Sequence, residues 1–523
     1  MTDTLHHSQI GAGHDSFGQT VRAEWVKFLT VRGWVIGLVI AALAILALGL
    51  GPSAQGSCGT NGPASDCTQP LGPGGEEVAD SFYFAHQPLD GNGAITVRVT
   101  SLTGQVPDFS GGGGGSGGPQ TRSGLVPWAK AGIIIKASTA QGSAYAAMMV
   151  TGAHGVQMQY DYTGDAPGLA GAVSAASPRW LRLTRSGDTF TGYDSTDGAH
   201  WTKVGVATLT GLPPTVLGGL FATSPPYWQA TGAGTSVTGG DSEATGAFDH
   251  VSLLGGWPNA AWAGTAIGDA GGPAAGSPGD FQEAAGRFSV TGVGDIAPSV
   301  AGAAGLGVTI AQTLIGVFAG LIAVAVVGAM FMTAEYRRGL IRVTLAATPG
   351  RGRVLAAKAV VIAAVTFAVG LVSSAIVVTV GQRILRSHGV YVWPVTVLTE
   401  ARVIVGTAAV LAVAAVIALA IGTILRRSAG AVAAVIVVIV LPYLLTVTTP
   451  LLPAGPTEWL ARVTPAAAFA VQQTLIAYPQ VSNLYTPSAG YYPLAPWAGF
   501  AVLCAWAAVT LALAVWTLNR RDA

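Results

Sequence analysis

Apolar and polar positions divide this chain into two regimes. An apolar run at residues 34–51 is followed by a long polar, glycine-rich stretch over 52–306, and from 307 onward one apolar run succeeds another. A bilayer core takes about 20 apolar residues per helix. Six runs meet that length: 34–51, 308–332, 359–380, 404–425, 429–447 and 497–518. Arg426-Arg427-Ser428 separates the fourth from the fifth, and Pro442 is expected to bend the fifth. Gly316 and Gly320 form a Gly-x-x-x-Gly step suited to close helix packing.

The polar stretch reads as β-structure. Ile95, Val97 and Val99 alternate with Thr96, Arg98 and Thr100, and Val156, Met158 and Tyr160 alternate with glutamines and an aspartate. Residues 132–136 suit a buried strand. Leu181 and Leu183 lead through Ser186-Gly187-Asp188 into 189–193, and Asp197-Gly198 turns the chain into 201–206. Strands at 216–222 and 248–254 complete the pattern. Many short strands with tight turns predict a sandwich over 52–262. The Pro/Gly/Ala-rich segment 263–306 reads as a tether back to the membrane, and 111–118 as a flexible loop. The expected fold is therefore multi-domain: a transmembrane α-helical bundle of six helices, with an all-β sandwich inserted after the first.

Ahead of the first apolar run, Phe17, Val21, Trp25, Phe28 and Leu29 recur at helical spacing, opposed by Gln19, Arg22 and Lys27. Ser16 and Gln19 have the spacing of a capping box. An amphipathic helix lying in the headgroup plane is expected within 1–33, turning into the bilayer near Gly33-Trp34. The run at 34–51 is longer than a signal-peptide core and lies behind more than thirty residues, so it reads as an uncleaved anchor.

Composition agrees with a membrane protein: half the residues are hydrophobic and a tenth charged, against about a quarter charged in soluble domains. A net charge of +1 gives no reason to expect a nucleic-acid partner. Arginine placement sets sidedness. Arg22, Lys27 and Arg32 precede the first run, and Arg337, Arg338, Arg342, Arg351, Arg353 and Lys358 crowd the second connection. Arg426 and Arg427 sit in the fourth, and Arg520 and Arg521 follow the last. Both termini are expected in the cytoplasm and the β-region outside, in the cytoplasmic membrane of a bacterium. Arg383, Arg386 and Arg402 make one external loop an exception. Cys58 and Cys67, closing a short external loop, read as a disulfide, with free thiols as the alternative.

Candidate chemistry is mostly missing. The Gly-x-x-x-x-Gly-Lys-Ser/Thr phosphate cradle is absent, so nucleotide hydrolysis is not expected on this chain. A pair of carboxylates on one strand, as glycoside hydrolysis needs, is also missing. No metal-ligand spacing and no cofactor site emerges. Trp128, Trp180 and Trp201 are candidates for an external ligand platform, against the commoner role of sandwich core. The densest charged element of the apolar half is the link 333–358, where Glu335, Tyr336, Arg337, Arg338 and Arg342 surround Leu340, Ile341 and Leu345 before Thr348-Pro349-Gly350 and Arg351, Arg353. A short amphipathic helix there suits docking into a partner's groove.

Residues 21–32, the 335–353 link with Leu345-Ala346-Ala347-Thr348-Pro349 and Arg351-Gly352-Arg353, and Leu460-Ala461-Arg462-Val463-Thr464-Pro465 together resemble bacterial ABC transporter permeases of the six-span exporter class. The resemblance implies that Arg22, Glu24 and Lys27, with Glu335, Tyr336, Arg337, Arg338, Arg342, Arg351 and Arg353, contact a separate ATP-binding subunit, which binds the ATP. It also implies a homodimer or heterodimer of permeases and short re-entrant helices within 453–473. The stretch from Phe190 through Asp194-Ser195-Thr196-Asp197-Gly198 to Trp201 is similar to concanavalin A-like (laminin-G type) jelly rolls. The implied function is export of an amphiphilic or lipid-like substrate. A surface receptor or cell-wall glycan-binding protein using the sandwich is the alternative. Six spans and a structured basic link exceed what an anchor needs.

Overall fold

The computed structural model describes residues 17–53, 69–109, 120–231, 236–258, 260–268, 279–301, 307–337, 339, 350–447, 454–481, 485, 487 and 490–521. Cys58, Cys67, Ser16, the 111–118 tract and the 338–349 link except Gly339 lie outside these residues. The chain forms two compact units. One comprises 1–66, 307–475 and 485–523, and the other 67–306 with 476–484.

The first unit is helical. Helix α1 (Phe17–Thr30) breaks at Val31 and α2 (Arg32–Ser53) follows. The second apolar run is α3 (Ile310–Thr313), one 3-10 turn at Leu314–Gly316, and α4 (Val317–Arg337). Then come α5 (Arg351–Ser387), α6 (Val397–Leu425), α7 (Ser428–Val435) and α8 (Leu441–Val447). Helix α9 (Ala454–Val463) and a 3-10 helix (Pro465–Gln472) occupy the segment expected to hold short re-entrant helices, and α10 (Pro496–Arg521) ends the described chain. Among the described residues, six helices are long and apolar enough to cross a membrane, and α6 is the most buried of them.

The bend expected at Pro442 takes the form of a π-turn at Ile436–Val440 joining α7 to α8. Proline donates no hydrogen bond and crowds the preceding turn, and the wider π-turn makes room for it. The Gly316–Gly320 step receives α2: a Cβ on Gly316 would lie 2.4 Å from the Ile45 carbonyl oxygen, and one on Gly320 2.5 Å from the Ile45 side chain. Hydroxyls inside the helices bond back to their own turns, Thr366 to Ile362 O and Ser374 to Gly370 O.

The second unit is built on two large antiparallel sheets. One runs β11 (Thr202–Thr208), β10 (Thr189–Ser195), β9 (Arg179–Ser186), β3 (Gly93–Pro107), β15 (Glu243–Gly255), β18 (Arg287–Val293), β17 (Gly279–Ala284), with β4 (Thr121–Ser123) paired to β3. The other runs β16 (Ala263–Ile267), β2 (Phe82–Asp90), β12 (Thr215–Thr223), β5 (Lys130–Lys136), β6 (Tyr145–Thr151), β7 (Val156–Tyr160), β8 (Gly164–Pro167). Strands β13 (Tyr227–Thr231) and β14 (Ser236–Gly240) form a hairpin. Alternating residues of both sheets, among them Val97, Leu181, Ile133, Met148 and Leu220, fill one core.

The expected tether is corrected here. This stretch supplies β16, β17 and β18 to the two large sheets, and β19 (Ile296–Pro298) to a separate two-stranded ladder. Val290 and Ile296 are fully buried, and this burial outweighs the Gly/Pro/Ala-rich composition of their surroundings. Strand β19 pairs with β1 (Val78–Asp80), so the first and last strands of the unit lie side by side. Two lysines on β5 clamp that pair. Lys136 donates to Asp80 Oδ2 at 2.8 Å and to the Ser143 carbonyl, and Tyr162 Oη donates to the same carboxylate. Lys130 donates to Asp295 Oδ1 at 2.5 Å and to the Ile296 carbonyl. Burial pushes the Lys136 ammonium below its usual pKa, with the Asp80 charge opposing the shift. Segment 476–484 belongs to this unit as well: Val481 packs on Ala297 and Val300, and Gln480 Nε2 donates to the Thr163 carbonyl at 3.5 Å.

Candidate functional site

Charged groups of the helical unit gather at the end where α1, α4 and α5 meet. Sequence reading places the polar residues of α1 opposite its apolar stripe, and the structure rearranges both. Glu24 and Phe28 are buried, whereas Phe17, Trp25, Val26 and Leu29 are exposed. The helix thus turns Glu24 inward beside Phe28 and an apolar strip outward beside Arg22. This is the reverse of a helix packed on a soluble core.

Four side chains form the centre of this end. Lys27 Nζ donates to Glu24 Oε1 at 3.1 Å and to Glu335 Oε1 at 2.7 Å. Lys358 Nζ donates to Glu24 Oε2 at 2.6 Å and to Glu335 Oε1 at 2.7 Å. Two carboxylates and two ammonium groups alternate in a ring that sums to zero charge. Lys358 is fully buried and Glu24 and Glu335 nearly so. Among the described residues, Glu335 Oε2 has no hydrogen-bond partner. Burial acts to lower the Lys27 pKa, but the bonds and charges of Glu335 and Glu24 outweigh it and the net shift is upward.

An aromatic floor closes beneath the ring. Lys358 Nζ lies 4.5 Å from the Phe331 ring centroid, Phe331 meets Phe28 and Trp34 edge-on, and Phe28 stacks on Trp34. These rings exclude water, which strengthens the ion pairs and raises the cost of breaking one of them.

The remaining predicted residues are distributed as follows. Arg22, Arg337 and Arg353 are exposed. Arg351 donates to the Leu518 carbonyl at 3.0 Å, joining α5 to α10. The Tyr336 ring carries the Arg426 guanidinium at 5.1 Å. Arg338 and Arg342 lie outside the described residues. The structure thus brings Glu24, Lys27 and Glu335 together with each other. Sequence reasoning missed Lys358 as their partner. Its signal is a lone ammonium inside the apolar series Val354 to Val361, a position that needs an internal counter-ion.

At the other end of the helices, two of the three arginines that broke the charge rule are occupied locally, and Arg383 is exposed. Arg402 bonds the Gln473 carbonyl, and Arg386 donates to Gln382, which in turn donates to Glu400.

The three tryptophans named as a platform lie in two places. Trp128 is buried and stacks on His154 at 4.0 Å, beside the seven-stranded sheet. Trp180 and Trp201 lie together on the outer face of the eight-stranded sheet, where Arg182 covers Trp201 at 3.9 Å. Asp197 is a turn residue: its carboxylate accepts from Ser195, His200 and the backbone amides of Ala199 and His200. No group of three or more metal-ligating side chains occurs among the described residues.

Among solved structures, 33% of this chain matches 75% of a functionally unknown protein from Saccharomyces cerevisiae at 16% identity and a TM-score of 0.21. Scytalido-glutamic peptidase matches at 8% identity over 40% of this chain and 98% of its own, with a TM-score of 0.24. A GH43 protein from Bacillus licheniformis matches at 17% identity over 25% of this chain and 24% of its own, with a TM-score of 0.16. Scores this low carry no argument about function. No curated protein matches the chain. The model of one family, described as ABC-2 family transporter protein, matches residues 133–523. With helices long enough to span a bilayer and a match covering well over half its length, this chain belongs to the ABC-2 family of transporter proteins.

Proposed function

We propose that this membrane subunit of an ABC transporter works as an exporter with a separate ATP-binding chain, which grips the helical unit at the α1–α4–α5 end. The observation that carries this reading is the buried ring of Glu24, Lys27, Glu335 and Lys358. It binds α1 rigidly to both helices that flank the 338–349 link, so a push on the link reaches α1, α4 and α5 together. A docking surface transmits force only if its supports do not yield.

In this reading the predicted contact residues divide into two roles. Glu24, Lys27 and Glu335 hold the support rigid, while Arg22, Arg337 and Arg353, which point to solvent, face the ATPase with the link. Arginine placement supports a cytoplasmic position for this end and an external one for the sandwich, in a bacterial membrane as the family resemblance implies. Along the apolar runs 308–332, 359–380 and 404–425 the polar groups are hydroxyls and amides, such as Thr407, which accepts from Gln472 at 3.1 Å, and this favours an amphiphilic cargo passing between paired permeases.

The test is co-purification. Detergent-solubilised permease is expected to retain an ATPase chain, and Arg337→Ala with Arg353→Ala to lose it without a change in thermal midpoint. Full ATPase retention by that double variant overturns the assignment of contacts, and a wild-type protein that retains no ATPase overturns the whole proposal.

A further inference from the structure

The outer face of the eight-stranded sheet is chemically uneven. On its β3–β15–β18 half it carries small hydroxyl residues, Ser101, Thr103, Thr245 and Thr291, two of which bond each other at 2.8 Å. On its β9–β10–β11 half the same face carries arginine, lysine, tyrosine and two tryptophans. Register puts Arg182 beside Tyr193, and Tyr193 beside Lys203, in one row across three strands. Neighbouring strands lie about 4.8 Å apart, so the row presents three donors over roughly 10 Å.

The row is held in place. Arg182 is fixed on one side by the Trp201 ring at 3.9 Å and through Nε by Thr96 Oγ1 at 3.1 Å, leaving the two terminal nitrogens of its fork for an outside acceptor. Trp201 is fixed in turn by its indole N–H, which donates to the Gly198 carbonyl at 3.1 Å. Gly198 lies against the Trp180 ring, where a Cβ would come within 2.7 Å, so the turn grips both tryptophans. Among the described residues, Tyr193 Oη and Lys203 Nζ have no protein hydrogen-bond partner.

The nearby carboxylates are already engaged. Asp249 takes both arms of Arg98, at 2.7 and 2.6 Å, and this pairing holds its carboxyl down to about 2. Asp197 is bound within its own turn, and Asp194 points inward to the Leu169 amide. The patch therefore offers donors and positive charge beside fixed aromatic rings.

We propose that this row binds an acidic glycan, with Arg182 and Lys203 pairing its anionic groups, Tyr193 meeting a hydroxyl, and the Trp201 edge packing on a sugar ring. Charge selects the anion, and the indole selects a polyhydroxylated ring over a bare ion. The site is independent of the ATPase contacts, so its test reads glycan binding alone.

The experiment uses the full-length protein in nanodiscs of phosphatidylcholine. Binding of polygalacturonate oligomers, poly(glycerol phosphate) and neutral dextran is measured at low and at 0.5 M salt. The first carries carboxylates on sugar rings and the second carries phosphate without a ring, so the pair separates glycan recognition from anion binding alone. Polygalacturonate is expected to bind and dextran not, with affinity falling as salt rises. Arg182→Gln with Lys203→Gln is expected to weaken binding by tenfold or more, with the thermal midpoint unchanged. Tyr193→Phe is expected to cause a smaller loss, and Arg287→Gln on β18 none. Equal binding of dextran, no binding of polygalacturonate, preference for a sugar-free polyphosphate or for DNA, or an unaffected double variant overturns the proposal.

Discussion

Lys358 has the most exacting environment of any residue at the α1–α4–α5 end. Its ammonium is fully buried, yet it meets two carboxylates and an aromatic face, so every charge nearby has an answer. Removing one member of such a cluster leaves an uncompensated buried charge, at a cost of about 3–5 kcal/mol. Lys358→Met is therefore expected to lower the thermal midpoint in detergent sharply, and adding Glu24→Gln to restore part of the loss. If Lys358→Met melts like the wild type, the ring is not a structural support. The partner of Lys358 was not legible in the sequence, because Glu24 lies 334 positions away and only the folded helices bring the two together. The inward turn of Glu24 on α1 was hidden for a related reason. Its helical spacing was plain, but periodicity does not say which face meets lipid.

At the level of elements, alternation and run length served well. The strands expected around Val97, Ile134, Met158, Leu183, Phe190 and Leu220 are present, because each buries one face against the opposing sheet. Strands β16 to β19 were missed: their Gly, Pro and Ala neighbours mask the alternation of Phe288 and Val290, and their partners lie far back in the chain, β19 pairing with β1. Close packing of helices permits a sharper test. At Gly316 the obstacle to a Cβ is the Ile45 backbone, whereas at Gly320 it is the movable Ile45 side chain. Alanine gains up to about 1 kcal/mol over glycine in a helix, but overpacking costs about 1–3 kcal/mol. Gly316→Ala is expected to destabilise and Gly320→Ala to be nearly neutral, as read by thermal midpoints; the opposite order would mean that α2 and α4 are not packed at this step.

At the scale of the whole molecule, the chain joins a helical unit to a two-sheet unit placed in sequence between the first and second apolar helices. The two-unit plan was legible because hydropathy changes abruptly at 52 and again at 307. The excursion of 476–484 into the β unit was not, because nothing in its local composition signals where it docks. Replacing 78–298 with a short Gly-Ser bridge is expected to leave a protein that still inserts and still retains its ATPase, measured by membrane fractionation and co-purification. Loss of both would mean that the helices depend on the insert to fold. Val78 and Pro298 are direct neighbours across one antiparallel ladder, and such neighbours lie only about 5 Å apart. The two ends of 78–298 therefore meet, and a bridge of a few residues suffices to close the gap that their excision leaves.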